Sequence, residues 1–477
     1  MVALQQRLTD ALANIVGAQN VLAQPEARTR YASDQYWYAI AAAAAGQPIS
    51  RPDVAVLPTT PEQIGAILRL ANELGVPVTP WGGGSGVQGA ANVDQGGIVL
   101  DLRKLNRVRG IDHKSLTCVV EAGKNCRDFE AELNAIGLTF THYPASTEWA
   151  TIGGSIAARG SGVLSTKYGK IEDHVLNIEF VTPTGELVHT PSVPRHAVGP
   201  ELTQLLVGAE GTLGIITAAT VKLRALPQKR VFGAYSFASL SEGIEAGRRI
   251  MVSGLRPPVM RLYDEHAASH SLARAVDIPL SEPTLVLMFD GEYPDLVDLE
   301  AKIAFDLCHD HKGKVLPAQL GETWWEKRYV FYYPPYAPEL PSIWGTVDVV
   351  ADFQHIEEVY HATTRAVRES IDPKWNLQLN THFSHWYEWG SMIYARMKVP
   401  TGPDNLQEAK ALHDEIFRAG IEAAMAAGAV MNDHHGVGLR LEPFMEAQYG
   451  EAGLQALSSI KRALDPNNIL CPGKLGL

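Results

Sequence analysis

The chain is 477 residues long, with 46% hydrophobic residues, 20% charged residues and a mean hydropathy of −0.06. This composition is typical of a globular protein and excludes a mainly disordered chain and a multi-span membrane protein. The net charge of −12 argues against nucleic acid or anionic lipid as the main partner. At this length we expect two or three packed units of roughly 150 residues each.

The cysteines and the N-terminus indicate the cellular compartment. The four cysteines are scattered without CxxC spacing, which argues against a disulfide scaffold and against a cysteine-based metal site. Residues 1–23 lack the uninterrupted apolar stretch of a secretory signal, and no apolar run is long enough to span a bilayer. We therefore predict a cytoplasmic protein without a transmembrane segment.

Residues 52–227 alternate short β-rich runs with helical stretches and glycine turns, which is an α+β pattern. Thr60 is placed to cap a helix, Pro61 fits its first turn, and apolar residues recur at helical spacing as far as Leu74. Strands are predicted at residues 54–57, 76–80, 98–102, 117–121, 175–181 and 215–223.

Residues 228–429 differ in character, because glycine thins out and aromatic residues concentrate. This change predicts a separate domain, and glycine turns return in residues 430–477. Within the middle segment, helices are predicted near residues 240–253, 299–312 and 405–427, and strands at residues 284–289 and near Val315.

Four segments rich in Gly, Ser and Thr indicate one long, phosphate-bearing ligand. Residues without a Cβ let backbone N–H groups approach a phosphate closely. The segments are residues 81–86 (WGGGSG), 144–154 (PASTEWATIGG), 160–173 and 208–216 (GAEGTLGII). The first follows a predicted strand, but it is neither a Walker loop nor a GxGxxG fingerprint, so nicotinamide binding in a Rossmann fold is disfavoured. Taken alone, it is equally consistent with a plain tight turn.

Taken in order, these segments resemble a known flavoprotein superfamily. They are similar to the FAD-binding domain of the vanillyl-alcohol oxidase/p-cresol methylhydroxylase (PCMH) superfamily, on the motifs PWGGGSG, PASTEWATIGG, ARGSG with YGKIEDHV, and GAEGTLGIIT. The ending LDPNNIL with PGK is similar to the C-terminus of that superfamily. The resemblance implies an α+β fold with a two-subdomain PCMH-type FAD-binding domain in residues 1–227. An α+β substrate or cap domain would occupy residues 228–429, and residues 430–477 would return to the FAD domain. A homodimer is also implied.

The resemblance implies FAD as the cofactor, with its pyrophosphate along residues 82–86. Non-covalent binding is expected, because the first loop contains neither His nor Cys, although His142 lies near the second loop. The implied cofactor-binding residues are Pro80, Trp81, Gly82, Gly83, Gly84, Ser85, Gly86, Pro144, Ser146, Thr147, Thr151, Gly153, Gly154, Ala157, Gly160, Ser161, Glu210, Gly211, Thr212, Gly214 and Ile216.

Flavin oxidation of a hydroxyl compound needs a base for the hydroxyl proton and a group that holds the substrate. Within the superfamily, the chain most resembles the alkyldihydroxyacetonephosphate synthase family, on four segments: YGKIEDHV, residues 261–264, residues 390–394 and HHGVG. The D-lactate and glycolate dehydrogenases share the general motif order but differ in these details. This resemblance implies that Tyr394, His434 and His435 face the flavin. Asp433 departs from it, because the synthase family has a third histidine there.

Each candidate catalytic residue also has a purely structural interpretation. Adjacent histidines suit proton transfer near neutral pH, although one of the two could simply pack. Tyr394 is either an acid/base or a core tyrosine on a strand. Arg261 either anchors an anionic substrate or forms a salt bridge with Asp264 or Glu265.

A metal site is a weaker hypothesis. His382 and His385 lie three residues apart and, with His434, could supply nitrogen ligands to zinc or manganese. The chain lacks the HxGDGN-like stretch of the metal-dependent hydroxy-acid dehydrogenases of this superfamily, so we expect no metal. The surrounding aromatic residues form either core or the wall of an apolar pocket: Tyr329, Phe331, Tyr332, Tyr333, Tyr336, Trp386, Tyr387 and Trp389.

The sequence therefore predicts an FAD-dependent oxidoreductase that acts on an alcohol, a phenol-type compound or a 2-hydroxy acid. The substrate would be a small molecule, and oxygen or another acceptor would reoxidise the flavin. The alternative is a non-redox transferase similar to alkyldihydroxyacetonephosphate synthase. The absence of Arg and Lys between Tyr329 and Trp344 argues against a phosphorylated substrate. A flavin-storage or structural protein is the least favoured hypothesis.

Overall fold

The computed structural model describes residues 2–329 and 339–477. The chain divides into two compact units, the first made of Met1–Gly160, Lys170–Arg224 and His434–Leu477, and the second of Ser161–Gly169 and Ala225–Asp433. In the described part of the chain, no helix combines the length and the apolar character needed to cross a membrane.

The described part of the first unit has two large sheets, apart from the short pair Leu138–Thr139 and Arg224–Ala225. One has four strands, in the order Val21–Leu22, Val54–Val56, Ile98–Asp101 and Val78–Trp81; its last three strands run parallel. The other has five antiparallel strands, in the order Val108–Asp112, Thr117–Glu121, Ile215–Lys222, Val175–Val181 and Leu187–His189. The α-helices of this unit are Val2–Val16, Pro25–Arg28, Trp37–Ala44, Pro61–Leu74, Cys126–Asn134, Ile152–Ala157, Ile171–His174, Leu202–Leu206 and Met445–Leu464.

Local sequence signals explain the helix Pro61–Leu74, which connects the strands Val54–Val56 and Val78–Trp81 of the parallel sheet. The Thr60 hydroxyl accepts a hydrogen bond from the Gln63 N–H, and Gly75 ends the helix in the left-handed conformation, at φ 64°. Ile64, Ile67 and Leu68 are fully buried and pack with the strand residues Val54 and Ile98 in one core. The predicted helix and the strand at 117–121 are confirmed, and the strand predicted at 76–80 is shifted to Val78–Trp81.

The second unit is built on one seven-stranded antiparallel sheet. Its strands, in spatial order, are Lys314–Val315, Lys229–Ser236, Thr284–Gly291, Val259–Tyr263, Gln378–Trp386, Gly390–Val399 and Ile343–Asp352. Its α-helices are Ser165–Tyr168, Leu240–Val252, Glu265–Ala267, Ala273–Val276, Pro294–Asp310, Gln319–Glu326, Ile356–Glu369 and Leu406–Ala426. A π-helical turn, Ala268–Leu272, lies between Glu265–Ala267 and Ala273–Val276.

The two faces of this sheet differ in character because side chains alternate along each strand. Val347 lies against Gly420 of Leu406–Ala426, and the Phe383 ring lies 5.7 Å from the Tyr360 ring of Ile356–Glu369. Residues of this helix-covered face are therefore core. The neighbouring residues in sequence point to the opposite face, where Asp348 and His382 lie. This second face carries the polar groups described below.

Candidate functional site

In the first unit, the glycine loop 82–86 packs directly on the loop 144–154. A Cβ added at Gly83 would lie well inside 3.0 Å of the Trp149 carbonyl oxygen, and one at Gly82 would meet the Thr151 hydroxyl in the same way. Neither position has room for a side chain. The glycines therefore permit the two loops to meet, which is a physical reason for this residue type at both positions.

The other two predicted segments join the same cluster. A Cβ at Gly211 would meet the Pro80 ring, so the loop 208–214 lies against the end of strand Val78–Trp81. The Glu210 N–H donates to the Ala157 carbonyl at 3.0 Å, and the Gly160 N–H donates to the Ser155 carbonyl at 2.9 Å. The remaining cofactor residues from the sequence lie on these segments: Pro144, Ser146, Thr147, Gly153, Gly154, Thr212, Gly214 and Ile216.

This cluster fits a flavin nucleotide. Among the described residues, the N–H groups of residues 82–86 donate no hydrogen bond within the protein, so they are available to a phosphate. Thr151 caps helix Ile152–Ala157 by accepting from the Gly154 N–H at 3.2 Å. When FAD is bound here, residues 82–86 would hold its pyrophosphate, and the FAD would supply a two-electron acceptor. Ser161 lies in the second unit, and its hydroxyl donates to Asp433 at 3.4 Å.

The carboxyl group of Glu210 orients the turn that follows the paired histidines. It accepts the Val437 N–H at 2.6 Å and the Gly438 N–H at 2.9 Å. A Cβ at Gly436 would collide with the same carboxyl, which explains glycine there. Burial raises the pKa of Glu210 to about 7. The rings of His434 and His435 lie 4.2 Å apart, so this turn presents both imidazoles together.

Four titratable side chains form a row across the polar face of the second unit's sheet. Tyr263 is the cross-strand partner of His382, His382 of Tyr394, and Tyr394 of Asp348. The His382 ring stacks on the Tyr394 ring with centroids 4.9 Å apart, and it lies 5.6 Å from the Tyr263 ring. Tyr394 is thus a strand residue that is half-buried on a polar face.

Arg261 brings a buried positive charge to this face. It lies two residues before Tyr263 on strand Val259–Tyr263, so both side chains point to the same side. Its guanidinium lies over the Trp324 ring at 5.3 Å, and Trp324 donates from Nε1 to the Tyr263 hydroxyl at 2.7 Å. The Asp264 carboxylate accepts from the Ala267 N–H and the Tyr360 hydroxyl.

The two histidines considered as metal ligands have different surroundings. His382 lies in the aromatic stack, whereas Nδ1 of His385 pairs with the Asp433 carboxylate at 3.0 Å. We assign neither of them as a ligand. Of the aromatic set, Trp386 is buried, Tyr387 and Trp389 stack at 4.9 Å, and Phe331, Tyr332, Tyr333 and Tyr336 lie outside the described residues.

Sequence reasoning missed several groups at these two places. Trp324 and Asp348 had no motif to mark them, and Asp433 was noted only as a departure from a family pattern. Asp34 is also buried: its Oδ1 accepts from the Tyr36 N–H at 3.0 Å and from Asn92 at 3.2 Å. Burial raises the pKa of Asp34 to about 6. An isolated acidic residue in an unpatterned segment gives no sequence signal.

The first unit carries a glycine-lined loop cluster that fits a nucleotide, and the second unit carries a sheet face with titratable side chains. The family profile of an FAD binding domain matches residues 52–191, and that of the C-terminal domain of FAD linked oxidases matches residues 226–475. The chain therefore belongs to the FAD-linked oxidase family. It is an FAD-dependent enzyme, as the sequence predicted.

Curated relatives include both reaction types considered from the sequence. Alkyldihydroxyacetonephosphate synthase of Trypanosoma brucei brucei is 30% identical over 456 residues, which cover 89% of this chain and 73% of that protein. The mitochondrial D-lactate dehydrogenase [cytochrome] of Arabidopsis thaliana is 28% identical over 433 residues, which cover 90% of this chain and 74% of that protein.

A solved structure confirms the fold class. p-Cresol methylhydroxylase with substrate bound matches with a TM-score of 0.78 and 21% identity, covering 99% of this chain and 96% of that one. At this identity the likeness bears on the fold alone. The predicted PCMH-type α+β fold and the resemblance to this superfamily are thus confirmed.

Proposed function

We propose that this enzyme oxidises a hydroxyl-bearing substrate, namely an alcohol, a phenol-type compound or a 2-hydroxy acid, with FAD as the hydride acceptor. The observation that carries this proposal is the row Tyr263, His382, Tyr394 and Asp348 beside the buried Arg261. Such a face combines groups that exchange protons with a cation that binds an anionic substituent.

The chain's own residues supply binding and proton transfer in this proposal. Arg261 binds the substrate's carboxylate or phenolate oxygen, because a guanidinium held by an aromatic ring in a buried position is already oriented and partly desolvated. Tyr394 exchanges the hydroxyl proton, a role that the resemblance to the superfamily implies for it; the same resemblance implies this role for His434 and His435. Stacking on His382 fixes the orientation of the Tyr394 ring before substrate binds.

A non-redox transferase is the second candidate. It is supported by the 30% identity to alkyldihydroxyacetonephosphate synthase and by the HHGVG turn that Glu210 holds. Against it stand Asp433, where the synthase family has histidine, and the lack of cationic residues between Tyr329 and Trp344.

Anaerobic titration of the yellow holoenzyme distinguishes the two candidates. The panel consists of D- and L-lactate, D- and L-mandelate, benzyl alcohol and 4-hydroxybenzyl alcohol, with a separate sample of acyl dihydroxyacetone phosphate and a long-chain alcohol. Bleaching of the flavin's blue absorption band, with one carbonyl product formed per flavin, is expected for a member of the panel. Ether formation from the separate sample, with no panel member bleaching the flavin, would refute the proposal.

Substituted proteins show whether the bleaching depends on the proposed groups. Tyr394→Phe should slow bleaching while FAD stays bound. The matched control is His355→Gln, because His355 pairs with Asp352 at 2.7 Å on the surface of the second unit and takes no part in the proposal. Equal rates in both substituted proteins would remove Tyr394 from the proposed mechanism.

A further inference from the structure

Asp34 is a buried acidic side chain beside the glycine loop 82–86 of the first unit. Its exposed fraction is 0%, and a Cβ added at Gly86 would lie 3.6 Å from its Oδ2. The neighbouring Gln35 N–H donates to the Gly86 carbonyl at 2.8 Å, which ties the segment around Asp34 to the loop. The loop that would hold the FAD pyrophosphate is therefore packed against a carboxyl group.

The two oxygens of this carboxyl group have different partners. Oδ1 accepts from the Tyr36 N–H at 3.0 Å and from the Asn92 side-chain amide at 3.2 Å. Oδ2 is buried and has no hydrogen-bond partner in the part of the chain that the structure describes. A charged carboxylate with an unbonded oxygen is costly to bury, whereas the neutral acid carries its hydrogen on Oδ2 as a donor. The surroundings therefore favour a neutral Asp34 that donates from the side facing Gly86.

Charged groups of the first unit act on Asp34 from two other segments. Lys474 is buried in the C-terminal segment, and its ammonium group donates to two carbonyls of residues 90–92. Its positive charge and nearby backbone N–H groups favour charged Asp34, but burial outweighs them and raises the pKa of Asp34 to about 6. Glu210 is a neighbouring acid, since the charge of Asp34 contributes to the raised pKa of Glu210. A carboxyl group that titrates near neutral pH responds to a further charge placed beside it.

We propose that Asp34 takes up a proton from solvent when FAD binds, because the pyrophosphate brings two negative charges to the loop beside this carboxyl group. Like charges held close together in a poorly solvated place repel strongly, so bound FAD favours the neutral acid. The coupling is reciprocal, and protein with neutral Asp34 therefore binds FAD more tightly than protein with charged Asp34. The affinity for FAD falls as the pH rises through the range in which Asp34 of the free protein loses its proton.

A purely structural role of Asp34 makes a different prediction. If Asp34 only fixed the turn at residues 34–36, Asp34→Asn would keep the Oδ1 acceptor for the Tyr36 and Asn92 donors, and the pH dependence of FAD binding would stay as in the wild-type protein. If Asp34 takes up a proton, the same substitution imitates the neutral acid at every pH. The inference rests on the placement of the pyrophosphate along residues 82–86 and not on the substrate that the enzyme oxidises.

The binding test measures the dissociation constant of FAD at several pH values, by diluting the holoenzyme and following flavin fluorescence. FAD has no group that titrates near neutral pH, so a pH dependence belongs to the protein. The wild-type affinity should fall by about 10- to 50-fold between about pH 6 and 8, because a group with a pKa of about 6 goes from half to about one-hundredth protonated. Asp34→Asn should show no such fall, and at about pH 8 it should bind FAD more tightly than the wild-type protein by about 10-fold or more.

Two further variants separate Asp34 from other acidic residues. Asp94→Asn removes an exposed carboxylate of the same unit and should follow the wild-type curve. Glu210→Gln removes a second buried acid, whose pKa burial raises to about 7; the pH dependence should remain and move to lower pH, because Asp34 loses a negative neighbour. A pH dependence that is lost in Glu210→Gln but kept in Asp34→Asn would overturn the inference and assign the proton to Glu210. Melting temperatures show whether each variant is folded.

Proton uptake itself is counted by isothermal titration calorimetry. FAD is titrated into deflavinated full-length protein near neutral pH in two buffers of different ionisation enthalpy, and the difference in heat gives the number of protons taken up. The wild-type protein should take up about one proton per FAD, and Asp34→Asn should take up none. Equal uptake in both proteins, or a wild-type affinity for FAD that does not change with pH, would overturn the inference.

Discussion

The contact between the two glycine-containing loops of the first unit gives the sharpest prediction about FAD binding. In Gly83→Ala, the new Cβ would collide with the Trp149 carbonyl oxygen, which belongs to the backbone and cannot rotate away. The loops 82–86 and 144–154 must separate to admit the methyl group. Forcing an extra methyl group into a packed site typically costs about 1–3 kcal/mol.

This cost is expected to appear in FAD affinity, because separation moves the backbone N–H groups that would hold the pyrophosphate. Since 1.4 kcal/mol corresponds to a factor of ten, FAD should bind about 10- to 100-fold more weakly in Gly83→Ala. The control is Gly110→Ala, which lies outside the loop that would hold the pyrophosphate and where a new Cβ meets open space.

The assay is a titration of deflavinated protein with FAD, followed by the quenching of flavin fluorescence. Thermal unfolding of each apoprotein separates a local effect on the loops from loss of the fold. Equal FAD affinities in Gly83→Ala and Gly110→Ala would refute the claim that contact between these loops shapes the cofactor site.

Three further predictions concern stability and catalysis. Burial raises the pKa of Asp34 to about 6, so the folded protein binds this proton more tightly than the unfolded chain does. The free energy of unfolding should therefore fall by about 3 kcal/mol as the pH rises from about 4 through 6. Urea unfolding should show that this decrease is absent in Asp34→Asn. Tyr394→Phe should lower the rate constant of flavin bleaching by about 10²-fold without changing FAD affinity; an unchanged rate would assign Tyr394 to packing. Arg261→Met should raise the KM for a carboxylate-bearing substrate by about 10-fold or more and leave the KM for benzyl alcohol unchanged. Equal increases in both KM values would point to a general disturbance of the sheet.

The elements of the first unit were largely predictable because their signals are local. Thr60 and Pro61 mark the start of a helix, and the strands Thr117–Glu121 and Val175–Val181 occur at the predicted positions. In the second unit, the helix predicted at 299–312 begins earlier, at Pro294, since proline at a first helical position was not used as a signal. The strand Ile343–Asp352 was not predicted although Pro341 lies two residues before it, because Gly345 and Asp348 interrupt its run of apolar residues.

The chemistry of the second unit was less accessible from sequence. The row of Tyr263, His382, Tyr394 and Asp348 depends on the register of four strands, and sequence separation says nothing about register. His385 and Asp433 are 48 positions apart, and a bulge at His385 is needed to join them. Only the resemblance to a flavoprotein superfamily directed attention to Tyr394 and the paired histidines before the structure did.

The most direct test of the account is whether the flavin takes hydrogen from the carbon that bears the substrate's hydroxyl group. The measurement is anaerobic stopped-flow reduction of the holoenzyme, with the active panel member compared with the same compound deuterated at that carbon. The account predicts slower bleaching with the deuterated compound and one carbonyl product per flavin. Bleaching at the same rate, with no oxidised product, would contradict it and favour capture of a substrate carbon by the flavin without net oxidation.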